Sequence, residues 1–411
     1  MRLRTIKTSS VFAALVILLS PMLLSTMAST SKTTTIWSGT VTLPDGYLVH
    51  SNQVLVINAG TTVLLGEGER LGVDGRLTVQ GTQTSPVTFG AISGDHQGIQ
   101  FNSSSKDLGS VMENITILDS EFGITIYSSN PSINNVTILN ADKVAVDMFS
   151  GASPLIRDIV IDGGGQDIHG SSDSWRYGIG ISAGDFSAPI IEGAQIGNLI
   201  TRGVNIWYNS GGLWSDLSIH NITGATLAAS CAIWVEDSIP LISGSNASKS
   251  DNGIIVRHIS QDSTTRPTFL NTKVEDNQYR GVLVERFDHT NFSNLQTNAL
   301  FDGLQVSGTG GPDAKTPGLG IGAAFDVNTS GVKVTNALIQ NNAIVGFRAY
   351  TTDSSTSLSN ITIRNNGPES PSKPHEGAGL LFRSTSWTSK GPAEVSDLVV
   401  ENSTGSGVLK Y

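Results

Sequence analysis

A single cysteine, Cys231, occurs in 411 residues. No internal disulfide can form, so burial and backbone pairing must hold the fold together. Charge is also scarce: 15% of residues are charged, 35 acidic side chains face 25 basic ones, and the net charge is -10. That balance repels phosphate backbones and anionic lipid surfaces, and no local basic patch offsets it, which argues against nucleic acid as a partner. Apolar spacing of three and four is missing, so helical repeats do not fit. The 7 histidines lack the paired spacing of a zinc site, and no glycine motif that would cradle phosphate is present. No metal site and no cofactor are expected, with Ca²⁺ left open as the one ion acidic oxygens could hold.

Long apolar runs are confined to the N-terminus. Arg2, Arg4 and Lys7 precede an apolar stretch from Val11 to Leu24 and small residues through Ala28, the order of a secretory signal peptide. Ser20 and Pro21 interrupt the run, which falls short of the roughly 20 residues that a helix needs to cross a bilayer. Cleavage near Ala28 is therefore favoured over a retained anchor. With no second run of spanning length, the mature chain is expected outside the cell or on its surface, without a membrane span.

What is abundant is turn and strand material: 45 Gly with many Asn, Ser and Thr. One pattern returns throughout. Asn or Asp opens an apolar-x-apolar triplet, as at Asn114, Asn135, Asp158, Asp216, Asn336, Asn360 and Asp397. A polar turn follows, and a Gly or other small residue opens a second alternating strand, as at Gly123, Gly178, Gly203, Gly253, Gly281, Gly346, Gly379 and Gly407. Successive second strands lie roughly 20 to 35 residues apart, the range of stacked supersecondary units. Period-2 alternation sends one set of side chains inward, where stacking of coils about 4.8 Å apart buries them. The reading is an all-β solenoid, a right-handed parallel β-helix of roughly a dozen coils and on the order of 60 Å long. Hairpin signals between strands are too few for a propeller or sandwich.

These repeats, with the opening segment Trp37-Ser38-Gly39-Thr40-Val41 and Leu77-Thr78-Val79-Gln80-Gly81-Thr82, resemble the right-handed parallel β-helix superfamily. That superfamily includes pectate lyases, polygalacturonases, alginate epimerases and surface proteins without assigned activity. The resemblance implies the fold over nearly all of the mature chain and little about chemistry. Signal peptide at 1–28, N-terminal capping coils at 29–89 and repeats at 90–411 are the expected divisions. The last residues match a second strand, so the repeats end in mid-coil; a longer parent chain or end-to-end pairing with a partner would cover that end.

Counting fourth from the small residue that opens each second strand gives an outward column of Tyr127, Asp147, Ser182, Trp207, Trp234, Arg257 and Glu285. Trp207 and Trp234 then become exposed neighbours, flanked by Glu236, Asp237, Arg286, Asp288 and His289. Flat rings beside charged groups suit a sugar-binding cleft; the same residues also read as solvated positions with two amphipathic tryptophans covering a loop. If the chain is an enzyme, Glu236, Asp237 or Glu285 would act as acid or base, with Arg257 stabilising charge. The segments typical of polygalacturonases and pectate lyases are missing, which leans toward a binding or structural role, with a polysaccharide lyase, hydrolase or epimerase as the alternative. Lys373-Pro374-His375-Glu376 is faintly similar to an alginate-epimerase segment but lacks its leading Asp. Asp162, Asp167 and Asp173, in the longest insertion of the first half, are the Ca²⁺ candidates, though their spacing fits no known loop.

Acceptor triplets for N-glycosylation occur at Asn102, Asn114, Asn135, Asn221, Asn246, Asn291, Asn328, Asn360 and Asn402. Chance alone would give about six in so Asn-, Ser- and Thr-rich a chain. They fit a surface glycoprotein, but several coincide with the Asn-x-Thr opening of the repeat itself.

Overall fold

The computed structural model describes residues 32–165, 177–224, 230–260, 265–286, 297–310, 323–350, 354–367, 379–383, 394–404 and 407–410. The N-terminal apolar run lies outside them. Among the described residues the single helical element is a short 3-10 turn at Ser103–Ser105; the rest of the regular structure is strand, and every strand pairing is parallel. No helix among them is long and apolar enough to cross a membrane.

Each coil has three short strands, one more than the sequence pattern suggests. In one coil these are Leu155–Arg157, Ile159–Ile161 and Ile179–Ala183, whose partners in the next coil begin at Ile190, Ala194 and Arg202. Between Leu241–Ser243 and Asn246–Ser248, for example, two residues separate the additional strand from the second, whereas in seven coils it runs directly into the second with a single Asn or Asp at the corner. This is the residue noticed in the sequence: Asn114, Asn135, Asp158, Asp216, Asn336, Asn360 and Asp397 all have φ of 50 to 56°. Asn and Asp tolerate the left-handed region better than other residues with a side chain, which is why they recur here. A second left-handed corner follows the second strand at Asp119, Asn140, Asn198, Asn221, Asn341, Asn365 and Asn402.

Both corners are tied coil to coil by side-chain amides. Asn135 Nδ2 donates to Asn114 Oδ1, Asn360 to Asn336, Asn140 to Asp119, Asn221 to Asn198 and Asn365 to Asn341. Four glycosylation candidates thus hold ladder positions, since Asn114 also donates, to the Gly81 carbonyl. Asn102 donates to Asp74, Asn246 is half-buried, Asn328 and Asn402 are exposed, and Asn291 lies outside the described residues.

Ile, Val, Leu and Phe fill the interior in files. Inward residues of the third strands run Ile124, Val146, Ile181, Val204, Ile233 and Ile254, all with no solvent exposure. Burial of each such side chain contributes about 1.5–3 kcal/mol. At the start of each third strand sits a small inward residue: Gly123, Ala145, Gly180, Gly203, Ala232, Gly253, Gly281. The backbone demands it, for a Cβ on Gly253 would lie 2.5 Å from the Gly281 carbonyl oxygen of the next coil and 2.5 Å from Val274 Cγ1.

Candidate functional site

The outer side of the third strands carries two columns. A central one runs Thr125, Asp147, Ser182, Asn205, Trp234, Ile255, Leu283. An edge column runs Tyr127, Phe149, Gly184, Trp207, Glu236, Arg257, Glu285, Asn328. The column expected from sequence mixes the two, because the true opening residue is Gly180 rather than Gly178, and Ala232 stands where Gly203 stands one coil earlier. Trp207 and Trp234 are therefore not stacked: Trp234 pairs with Asn205, and Glu236 is the neighbour of Trp207.

The correction changes the role of Trp234. It is 3% exposed rather than an open platform. Its ring lies between two guanidinium groups, with Arg202 Cζ 3.9 Å and Arg257 Cζ 4.6 Å from the centroid. Cys231, Ile255 and Leu283 pack with it into an apolar cluster outside the main core. Burial pushes the Cys231 thiol up to about 12, so it is inert, as a buried thiol is expected to be.

Glu236, Arg257 and Glu285 are brought together as successive members of the edge column. Arg257 Nε donates to Glu285 Oε1 at 2.8 Å, and Nη2 makes a second bond to the same oxygen. Glu236 accepts from Trp234 Nε1 at 3.2 Å. Burial raises its pKa, and the nearby Arg202 works against that rise. Glu285 is thus engaged by a guanidinium rather than turned toward a ligand. Asp237 does different work. At a left-handed corner, with φ of 47°, it accepts from the backbone N–H of Ile259 at 2.9 Å and of Ser260 at 3.1 Å. This carboxylate staples the turn of the next coil instead of facing a substrate. Arg286 ends the strand Arg280–Arg286 opposite His258. Asp288, His289 and the Lys373–Glu376 segment lie outside the described residues, as do Asp167 and Asp173; Asp162 accepts from Asn198 Nδ2. Among the described residues no group of three or more His, Cys, Asp or Glu is arranged to hold a metal.

Exposed aromatic surface gathers on the earlier coils. Tyr127 and Phe149 stack with centroids 5.5 Å apart and planes at 21°. The Trp207 indole lies over Gly184, where an added Cβ would sit 2.5 Å from its Cε2; Gly184 has no ring of its own and makes room for that of the next coil. In the adjoining turns Phe186 and Tyr208 are 60% and 52% exposed and meet edge to face at 5.9 Å. Trp207 and Tyr208 lie 6.3 Å apart. Ser150 and Asp185 add exposed polar groups, with Ser150 Oγ donating to Asp185 Oδ2 at 3.0 Å. Phe149, Phe186 and Tyr208 were not singled out by the sequence; the signal for Phe149 is an aromatic directly after the last inward residue of the strand, as at Ile126-Tyr127 and Ile206-Trp207.

Beneath these rings runs a shielded polar ladder. Asn205 Nδ2 donates to Ser182 Oγ at 3.3 Å, Trp207 Nε1 to the same oxygen at 3.4 Å, and Arg202 Nη1 to Asn205 Oδ1 at 2.6 Å. Asp147 closes the ladder; burial raises its carboxyl to about 7, against a hydrogen bond from Ser182 that favours the anion. A carboxyl with this pKa holds and releases a proton near neutral pH.

Residues 158–316 match the family model described as a right handed beta helix region. That stretch is under half of the chain, and the parallel coils described above carry the same right-handed β-helix fold on both sides of it. Among solved structures the chain is similar to an alginate lyase from Paenibacillus sp. strain FPU-7, at 14% identity over 68% of this chain and 92% of that one, with a TM-score of 0.43. It is also similar to the A-module of the mannuronan C-5 epimerase AlgE6 of Azotobacter vinelandii, at 12% identity over 87% and 90%, TM-score 0.47. PfbA, a surface adhesin of Streptococcus pneumoniae, matches at 12% identity over 76% and 85%, TM-score 0.36. No curated protein matches the sequence. At these identities the likeness is one of fold alone.

Proposed function

We propose that this is a secreted or cell-surface β-helix protein that binds glycan chains along the outer side of its third strands. The observation that carries this reading is the run of rings on one side of the rod, with Tyr127, Phe186 and Tyr208 exposed and Phe149 and Trp207 half-buried among them. Pyranose rings present apolar C–H faces to aromatic rings and hydroxyl edges to groups such as Ser150 and Asp185. The coil repeat of about 4.8 Å is close to the length of one pyranose unit, so a linear glycan laid along the rod stays in step with the column. Export is supported by Arg2, Arg4 and Lys7 ahead of the Val11–Leu24 apolar run.

One observation favours a second reading, polysaccharide cleavage or epimerisation: Asp147, with its carboxyl at about 7, lies two residues from Phe149 and could serve as a general acid.

A glycan array and a depolymerisation screen, each with and without Ca²⁺, separate the two readings. Binding lost in Tyr127→Ala/Trp207→Ala, with circular dichroism unchanged, supports the platform. Turnover lost in Asp147→Asn while binding persists supports the enzyme. Binding indifferent to both rings removes this face from the function.

A further inference from the structure

Resting on the glycan-binding reading above, we propose that the groove lined by Asp45, His50, Glu69, Arg70 and Gln100 is an end subsite of the same face, and that the sugar it takes is neutral rather than a uronate. The groove holds about 560 Å³ and lies at the N-terminal end of the rod. Its floor is Gly72, paired with Leu48 on one side and Gln100 on the other. Through Gln100 it joins the central column at Thr125 and Asp147. Asn102, one residue past the partner of Ile126, stands beside Tyr127 at the head of the edge column. A chain lying on the rings therefore runs into the groove within a few rungs of about 4.8 Å.

The lining is set in place before any ligand arrives. Arg70 Nη1 donates to Gln100 Oε1 at 2.5 Å, Gln100 Nε2 to Asn102 Oδ1 at 2.7 Å, and Asn102 Nδ2 to Asp74 Oδ1 at 2.8 Å. Ser104 Oγ completes the chain with a 2.7 Å bond to the same Asp74 oxygen. Such alternating donors and acceptors match sugar hydroxyls, each of which donates one hydrogen bond and accepts others. Gly72 keeps the floor open: a Cβ there would come 3.0 Å from Leu48 Cδ1.

Charge decides the class of sugar. On the third strands from Tyr47 to Trp207, and on the residues directly before them, the described cations are Arg70, Lys143 and Arg202, and each is engaged. Arg70 bonds Gln100, Lys143 Nζ lies 3.0 Å from Glu121 Oε1, and Arg202 covers the Trp234 ring while bonding Asn205. His50 lies close enough to Asp74 to help hold that carboxyl below its usual range, after the larger effects of Ser104 and Asn102. Within and beside the groove Asp45, Glu69 and Asp74 outnumber Arg70. Tight recognition of a uronate calls for a guanidinium free to form a two-bond fork, and here the carboxylate would meet like charge instead.

The test is solution NMR of the full mature chain, with the Leu48 methyls reporting the groove and the Trp207 indole N–H reporting the rings. The probes are gluco- and manno-oligosaccharides of two to eight units, and mannuronate and galacturonate oligomers of the same lengths. Both reporters are expected to shift with the longer neutral oligosaccharides, with affinity for the uronates at least about tenfold weaker. Gly72→Leu, or Gln100→Ala where the first variant does not fold, is expected to weaken the longest neutral chains about tenfold and to leave the shortest unchanged. Uronates binding as well as neutral chains overturn the assignment of sugar class. A shift at Trp207 with no response at Leu48 overturns the groove and keeps the platform, and the reverse pattern does the opposite. Silence at both with every probe overturns both.

Discussion

Tyr127, Phe149 and Trp207 share one outward column with Glu236, Arg257 and Glu285, yet the two halves of that column have opposite characters. In the first half the rings are exposed (Tyr127) or half-buried (Phe149, Trp207), over an adjacent column of small polar residues, Asp147, Ser182 and Asn205. In the second half the adjacent column holds Trp234, Ile255 and Leu283, which form an apolar cluster. Here the charged groups pair with one another along its margin. Position on the rod fixes the direction a side chain takes, whereas the neighbouring column fixes whether it meets a ligand or another side chain.

The largest effect should come from breaking the closed half. Trp234→Ala removes the ring between Arg202 and Arg257 and is expected to cost about 3–5 kcal/mol of stability, read by urea denaturation, with little direct effect on glycan binding in whatever fraction stays folded. Next is Asp147→Asn in the open half. Burial raises the folded pKa to about 7 from 3.8, so the native state holds a proton that the unfolded chain has released. Wild-type stability should therefore fall as pH rises from about 4 to about 7 and level off above that. The Asn variant should lack this slope and exceed wild type by about 2–4 kcal/mol at pH 8, with the difference vanishing near pH 4. Equal pH profiles for the two proteins would mean that Asp147 is better solvated than its burial implies.

Glu285→Gln tests the ion pair at the margin, whose side chains are 19% and 17% exposed. Partial exposure keeps the expected loss to about 1–2 kcal/mol, smaller at high salt. Smallest in stability is Trp207→Ala, expected to shift folding by no more than about 1 kcal/mol while lowering glycan affinity about tenfold. If Trp207→Ala unfolds the protein and Trp234→Ala does not, the contrast between the halves is inverted.

Much of the architecture was legible because it rests on residues with few substitutes. The left-handed corners need Asn, Asp or Gly, so Asn114, Asp216 and Asn360 announce the repeat. The extra strand of each coil was not seen: segments such as Val111–Glu113 are short and run into the next strand through a single corner residue, with no separate turn chemistry. Site residues were harder to place. Register depends on which small residue faces inward, and Gly178 beside Gly180 gives two candidates two positions apart, enough to move Ser182 to the other column. The burial of Trp234 follows from arginines contributed by the coils on either side, and the raised pKa of Asp147 follows from its shielding; neither has a local signature.

The amide ladders also have a direction. In each link described above, from Asn135 to Asn114 through to Asn365 and Asn341, the later residue supplies the N–H and the earlier one the oxygen. A chain that emerges N-terminus first therefore brings each new donor to an acceptor already in position, and the finished coils template the next one. Assembly of the rod can follow synthesis stepwise, with the most recently added coil always the one still seeking its partner.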